Sequence, residues 1–349
     1  MTEVRTGFDE ALERLPKVEL HCHVEGTMRP GTVMELARAN GIPLPATEVT
    51  ELYRYTSLDE FLSVFWLVQS VLVKRADWAR LAYESVVDAA AHGRVYAEVF
   101  FTPARHLAGG QRLEDIVAGL HEGLAAGEAE TGSRAMLIAD IDRAYGPAAG
   151  LLLVQEVVGL RRRNTPGAER ILGIGMDSTE LGVDPASFRE AYELAGRSGL
   201  RRTGHQGENS PPSAIATLVD VLGAERVDHG LSIMEDPALV ERFALERIPL
   251  TVCPNSNIRI ANAYPALADH CFPGMRRAGL LATLNTDDPA LTDLDLGYEY
   301  RSVAEAFGYT WSDMVQIALD GVEASWLDPA DRTALRRRIT DEAAALQPG

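Results

Sequence analysis

Short apolar runs recur along this chain, separated by amphipathic segments, and that alternation limits the folds open to it more than any other feature. Eight runs read as buried strands: VELHCH (18–23), VYAEVFF (95–101), AMLIADI (135–141), ILGIGM (171–176), LRRTGH (200–205), RVDHG (226–230), PLTVC (249–253) and LLATLNT (280–286). Hydrophobicity that is continuous rather than alternating, as in AMLIADI, predicts strands covered on both faces, the pattern of a parallel sheet. Between the strands lie helical patterns, among them 113–130, 185–199, 237–247 and 273–279, the second ending on Gly199, a natural helix stop. Eight strands alternating with helices predict an α/β fold, a (β/α)8 TIM barrel, in preference to two domains. The 349 residues then form a single domain, 1–349: one barrel of about 250 residues plus loops and one long insertion. That insertion, 24–94, separates the first two strands and includes SLDEFLSVFWLVQSVLV (57–73). It reads as a helical lid above the barrel mouth. Phe61, Phe65 and Trp66 either bury one face of the lid helix or line a pocket beneath it, and the two readings are compatible.

Composition narrows the partners. The chain carries 33 basic and 51 acidic residues, a formal net charge of −18. Such a field repels polyphosphate backbones, so a small molecule is the expected partner and a nucleic acid is not. Cys22, Cys253 and Cys271 form no CxxC pair, which argues against a disulfide framework and a thiolate zinc knuckle. The first residues lack a signal-peptide pattern, and no apolar stretch is long enough to span a bilayer. A cytoplasmic protein without a membrane partner is the expectation; oligomeric state is left open.

In the barrel reading, the unusual polar residues gather at the C-terminal ends of strands, the face on which barrel enzymes build their active sites. His21 and His23 end the first strand. Two residues apart, their imidazoles project to one side and can chelate a single ion. His205 ends the fifth strand and is followed by Gln206, Gly207 and Glu208. His229 ends the sixth, and Asp287-Asp288 follow the eighth. Each alone has an ordinary reading: an HxH packs, an Asp-Asp-Pro caps a helix. Convergence on one opening is what favours a metal site. Three histidines and one carboxylate suit a borderline-soft divalent ion, zinc (Zn2+) first. The remaining glutamate, histidine and aspartate are then free for proton transfer and substrate contact.

The stretches PKVELHCHVEGTMRP (16–30), GHQGEN (204–209), RVDHG (226–230), LTVCPNSN (250–257) and LNTDDP (284–289) together resemble the adenosine/adenine deaminases of the metal-dependent amidohydrolase superfamily. The resemblance spans nearly the whole chain. It is not to the Cys-ligated deaminases, since there is no PCxxC. It implies zinc-dependent hydrolytic deamination of a 6-aminopurine. By resemblance His21, His23, His205 and Asp287 are the zinc ligands. Glu208 is the proton donor to purine N1. His229 takes the proton of the attacking water or stabilises it electrostatically, and Asp288 contacts N7. Asn255 and Ser256 orient metal ligands or shape their loop.

Departures from the family pattern bear on the substrate. MDSTE (176–180) places Ser178 where adenosine deaminases have a glycine near purine N3. It is closer to the Asp-Ser-Ser-Glu of enzymes that act on free adenine. Glu180 is then a candidate for a hydrogen bond to a ring nitrogen that ribose occupies in a nucleoside. LNTDDPALTDLDLGYEY (284–300) instead resembles nucleoside-type relatives, including aminodeoxyfutalosine deaminases. Glu25 stands where animal adenosine deaminases hold the ribose with an aspartate. Gln206 replaces a small residue beside the ligands. Adenosine to inosine, or a close nucleoside analogue, is the main expectation. Adenine to hypoxanthine and a modified adenosine are the alternatives. Further off stand an amide or ester hydrolase of the same superfamily and a binding protein that keeps the scaffold.

Overall fold

Parallel pairing carries the chain around a ring. A computed structural model describes residues 2–45, 53, 55 and 58–348. Its strands are β1 (Lys17–Glu19), β2 (Arg94–Phe101), β3 (Arg134–Asp142), β4 (Ile171–Asp177), β5 (Arg201–Arg202), β6 (His205–Gln206), β7 (Val227–His229), β8 (Leu250–Val252) and β9 (Ala282–Leu284). They pair in the orders β1-β2-β3-β4-β5 and β6-β7-β8-β9, every pair parallel. The expected fifth strand is thus two short pieces. They act as one stave, because the intervening Thr203 donates its N–H to Ile174 O (3.0 Å) and Gly204 O accepts from Asp228 N–H (2.9 Å).

The other seam closes the barrel. Cys22 bridges Asp287, and His23 bridges Phe100 on its far side. Asp287 N–H donates to His21 O (3.1 Å) and His23 N–H to Asp287 O (2.9 Å). The expected (β/α)8 architecture is the one the chain adopts.

Between β1 and β2 run the helices Pro30–Asn40, Leu58–Gln69 and Arg75–Ala91. Residues 46–52, 54, 56 and 57 of the expected insertion lie outside the described residues. Phe61 and Phe65 stack on each other (5.8 Å between centroids) and are buried. Both also line the cavity at the barrel mouth, so the two readings of this helix hold together. Trp66 belongs to a separate surface cleft, with the Arg105 guanidinium 3.8 Å above its ring.

Alternation along β2 sends Tyr96, Glu98 and Phe100 into the barrel. At the lower level Arg226 Nη1 meets Glu98 Oε2 at 2.6 Å, both side chains fully buried. The other oxygen of Glu98 accepts from Tyr96 Oη (3.1 Å) and Trp326 N–H (2.6 Å), and the guanidinium lies 4.1 Å over the Trp326 ring. One level up, Asp228 accepts from Thr203 Oγ1 and Thr251 Oγ1, each at 2.7 Å. At the top, the Phe100 ring packs 5.1 Å from His21 and His23 and 5.4 Å from His205. A polar column, each charge paired, therefore supports the histidines from below. Among the described residues no helix is long and apolar enough to cross a membrane.

Removing one partner of such a pair leaves an uncompensated buried charge. Glu98→Ala should therefore lower stability in urea unfolding by about 3–5 kcal/mol. A loss within measurement error would mean that Arg226 is solvated.

Candidate active site

Four side chains meet where the barrel closes. His21 and His23 extend from β1, His205 opens β6, and Asp287 follows β9; all four are buried, and their ligand atoms lie within 4.8 Å of one another. Asp287 adopts φ +68°, a left-handed conformation that few side chains tolerate, and the two seam hydrogen bonds hold it there.

The polarity of each imidazole follows from its neighbours. His205 Nδ1 sits 3.1 Å from Met176 O, which only accepts, so Nδ1 carries the proton and Nε2 a lone pair. Thr251 gives its hydroxyl proton to Asp228 Oδ1 (2.7 Å), so its oxygen accepts from His21 Nδ1 (3.0 Å), and His21 Nε2 too is a lone pair. That nitrogen is buried with no hydrogen-bond partner, 3.2 Å from Asp287 Oδ1. His23 Nε2 lies 3.0 Å from His205 Nε2 and 3.4 Å from the same carboxylate oxygen. Three imidazole nitrogens and a carboxylate oxygen thus converge on one point, a donor set that fits a borderline-soft divalent ion. Ser256 Oγ holds the other Asp287 oxygen at 2.5 Å, whereas Asn255 ties its loop to Glu299 (Nδ2 to Oε2, 2.8 Å). Ser256 therefore orients a candidate ligand, and Asn255 shapes the loop.

Beside this cage lies a cavity of ≈ 70 Å³ lined by His23, His205, Asp287, His229, Glu208 and Asp288, with Asp177, Ser178, Glu180 and the aromatic pair Phe61 and Phe65 completing its wall. Glu208 Oε1 accepts from Asn257 Nδ2 (3.0 Å) and lies 3.7 Å from His229 Nε2; burial pushes its pKa up. Burial and the adjacent Asp287 and Glu25 push Asp288 well up, and burial with Asp142 does the same to Asp177. Ser178 lines the cavity in a left-handed conformation, φ +72°.

Two of the expected substrate contacts, Glu180 in the cavity wall and Glu25 outside it, also have protein partners. Both oxygens of Glu180 are engaged by the loop that follows His205. Oε1 accepts from Glu208 N–H (3.0 Å), and Oε2 from Gly207 N–H (2.8 Å), Gln206 Nε2 (3.0 Å) and the Ser210 hydroxyl. Glu180 thus anchors the Glu208 loop, and Gln206 is drawn toward that carboxylate rather than into the cavity. Glu25 is fully buried and accepts from Thr102 N–H (2.8 Å); burial pushes its pKa to about 7. It lies behind the cavity, outside the lining residues.

Sequence reasoning did not single out Asp177, Asp228, Thr251, Asn257 or Asp140, whose carboxylate faces His23 Nδ1 at 3.9 Å. The available signal was a polar residue inside an otherwise apolar strand, as in AMLIADI and PLTVC.

Comparison with known proteins matches this geometry to a family. The profile described as "Adenosine deaminase" matches residues 16–342. The chain belongs to the adenosine deaminase family. It is 40% identical over 341 residues to the adenine deaminase of Streptomyces coelicolor, covering 97% of both chains. Among solved structures it resembles the adenine deaminase of Arthrobacter aurescens (TM-score 0.88, 34% identity, 93% of this chain and 98% of that one). It also resembles an amidohydrolase of Burkholderia ambifaria with bound zinc (TM-score 0.88, 31% identity, 97% and 93%). As a member of the adenosine deaminase family, the protein is a metal-dependent hydrolase of C–N bonds.

Partners of metal-bound imidazoles tune affinity about 10–100-fold. Thr251→Val, which keeps the shape and removes the acceptor for His21 Nδ1, should weaken metal binding by about that factor in a chelator competition. Unchanged affinity would remove Thr251 from the site.

Proposed function

We propose that the protein is a zinc-dependent adenine deaminase: adenine and water give hypoxanthine and ammonia. His21, His23, His205 and Asp287 would hold the ion, which supplies the Lewis acidity that activates water near neutral pH. The protein's own groups do the rest. Glu208, whose pKa burial raises, donates its acid proton to purine N1 and makes C6 electrophilic. His229 faces the attacking oxygen, and Asp288 contacts N7. Addition at C6 followed by loss of the amino group as ammonia leaves the 6-oxo purine. Helix Leu58–Gln69 covers the bound base and excludes water.

The observation that carries the free-base reading is the cavity wall. Asp177 Oδ1 and Asp288 Oδ1 are both buried without a partner among the described residues. A bare purine offers an imidazole N–H that a nucleoside has lost to ribose. The names of the relatives point the same way. Free adenine is therefore favoured over the adenosine expected first.

Zinc-loaded enzyme should show kcat/KM for adenine at least about 100-fold above that for adenosine, since ribose removes the donor that the two buried carboxyl oxygens would meet. A preference for adenosine would overturn the substrate assignment. Glu208→Gln should keep one zinc per chain and lose about 10²–10⁴ in kcat, the usual worth of a positioned acid. Near wild-type turnover would remove Glu208 from that role.

A further inference from the structure

One chain of hydrogen bonds reaches both proton-handling groups from a backbone amide. Phe272 N–H donates to His270 Nδ1 at 3.0 Å. A backbone amide has no other polarity, so Nδ1 is an acceptor and the neutral ring carries its proton on Nε2. The ring is neutral: burial, with His229 nearby, pushes its pKa down to about 4. His270 Nε2 faces Asn257 Oδ1 at 3.3 Å. That contact turns the carbonyl of Asn257 toward His270 and its amide nitrogen the other way. The nitrogen then lies 3.0 Å from Glu208 Oε1 and 3.0 Å from His229 Nδ1. Asn257 is wholly buried, and the four contacts leave no alternative orientation that satisfies them.

We propose that Asn257, held by His270, is a positioning residue that places the proton of His229 on Nε2 and the acid proton of Glu208 on Oε2. This rests on the reading of Glu208 and His229 given above, and it extends it. His229 Nδ1 receives a hydrogen bond, so the neutral imidazole presents an N–H to the cavity. His229 then donates to the attacking oxygen instead of taking its proton, which decides between the two roles open to it; the proton the water sheds passes to the Glu208 carboxylate left after N1 is protonated and from there to the departing amino group. Glu208 Oε1 is occupied by the amide, which leaves Oε2 as the oxygen that carries a proton to N1. A mere tether between helix Pro254–Arg259 and the segment around His270 would require neither polarity.

The decisive measurement is the tautomer of His229 in zinc-loaded enzyme carrying 15N-histidine, read from long-range 1H–15N spectra, with His229→Gln identifying the signal. The expected state is Nε2–H for both His229 and His270. Asn257→Asp reverses the polarity: His229 should move its proton to Nδ1, and kcat for adenine should fall about 100-fold. KM should stay within about threefold and zinc content at one per chain, a split that marks loss of transition-state stabilisation. His270→Leu frees the amide to turn and should lower kcat about tenfold, whereas His270→Gln, which can still donate to Asn257 Oδ1, should recover most of it. An Nδ1–H tautomer in the wild type overturns the proposal. So does a wild-type tautomer and kcat in both Asn257→Asp and His270→Leu. If Asn257→Asp does not fold, the Leu and Gln variants at 270 decide. Turnover retained by Glu208→Gln would sink the acid assignment yet leave the tautomer result standing, so the two failures can be told apart.

Discussion

The hydrogen bonds that close the barrel are also those that assemble the candidate metal cage. Asp287 gives its N–H to His21 and its carbonyl to His23, so the backbone pairing of the first and last strands fixes the separation of three of the four ligands. A left-handed backbone at a non-glycine position costs of order 1–3 kcal/mol and survives only where its surroundings over-determine it. Here they do: seam hydrogen bonds on one side, the Ser256 hydroxyl on the other. Loosening this seam would release fold and chemistry together.

How much of this was legible in the sequence depends on the range of the interaction. Strands such as AMLIADI announced themselves by continuous hydrophobicity, and HCH, GHQGE, VDHG and TDDP fell at their ends because β-strand period and barrel geometry are local rules. The partners were not legible. Thr251 serves His21 from β8, Asp140 faces His23 from β3, and Glu180 reaches the Glu208 loop from the end of β4. These are contacts between staves, and no periodicity along one segment encodes which polar side chain across the ring it will meet. Glu180 shows the consequence. The resemblance of MDSTE offered it as a substrate contact; it lines the cavity, and its carboxylate also accepts from four protein donors that anchor the Glu208 loop. Glu25 shows the same range effect: it follows the HxH closely, and the 3-10 turn Glu25–Thr27 buries it against Thr102, a partner from the end of β2.

The formal charge of −18 takes on a different meaning inside the barrel. It counts Glu25, Asp140, Asp177, Asp288 and Glu299 as ionised. All five are buried, and desolvation pushes each pKa up, Glu25 to about 7 and Glu299 to about 8. Neutral carboxylic acids can donate as well as accept, which suits a ligand such as a purine whose edge carries both donors and acceptors. Of the five, Asp177 and Asp288 line the cavity, so part of the acidic composition supplies hydrogen-bonding groups to its wall.

The seam also orders events in time. His21 and His23 leave the ribosome early, and Asp287, which completes the cage, comes only with the last strand. A contact between the two ends of a barrel is among the slowest kinds to form, because the loop entropy of nearly the whole chain is lost before it is rewarded. The complete set of candidate ligands therefore forms only once Asp287 has paired with the first strand. The seam thus makes assembly of the site the last step of barrel closure.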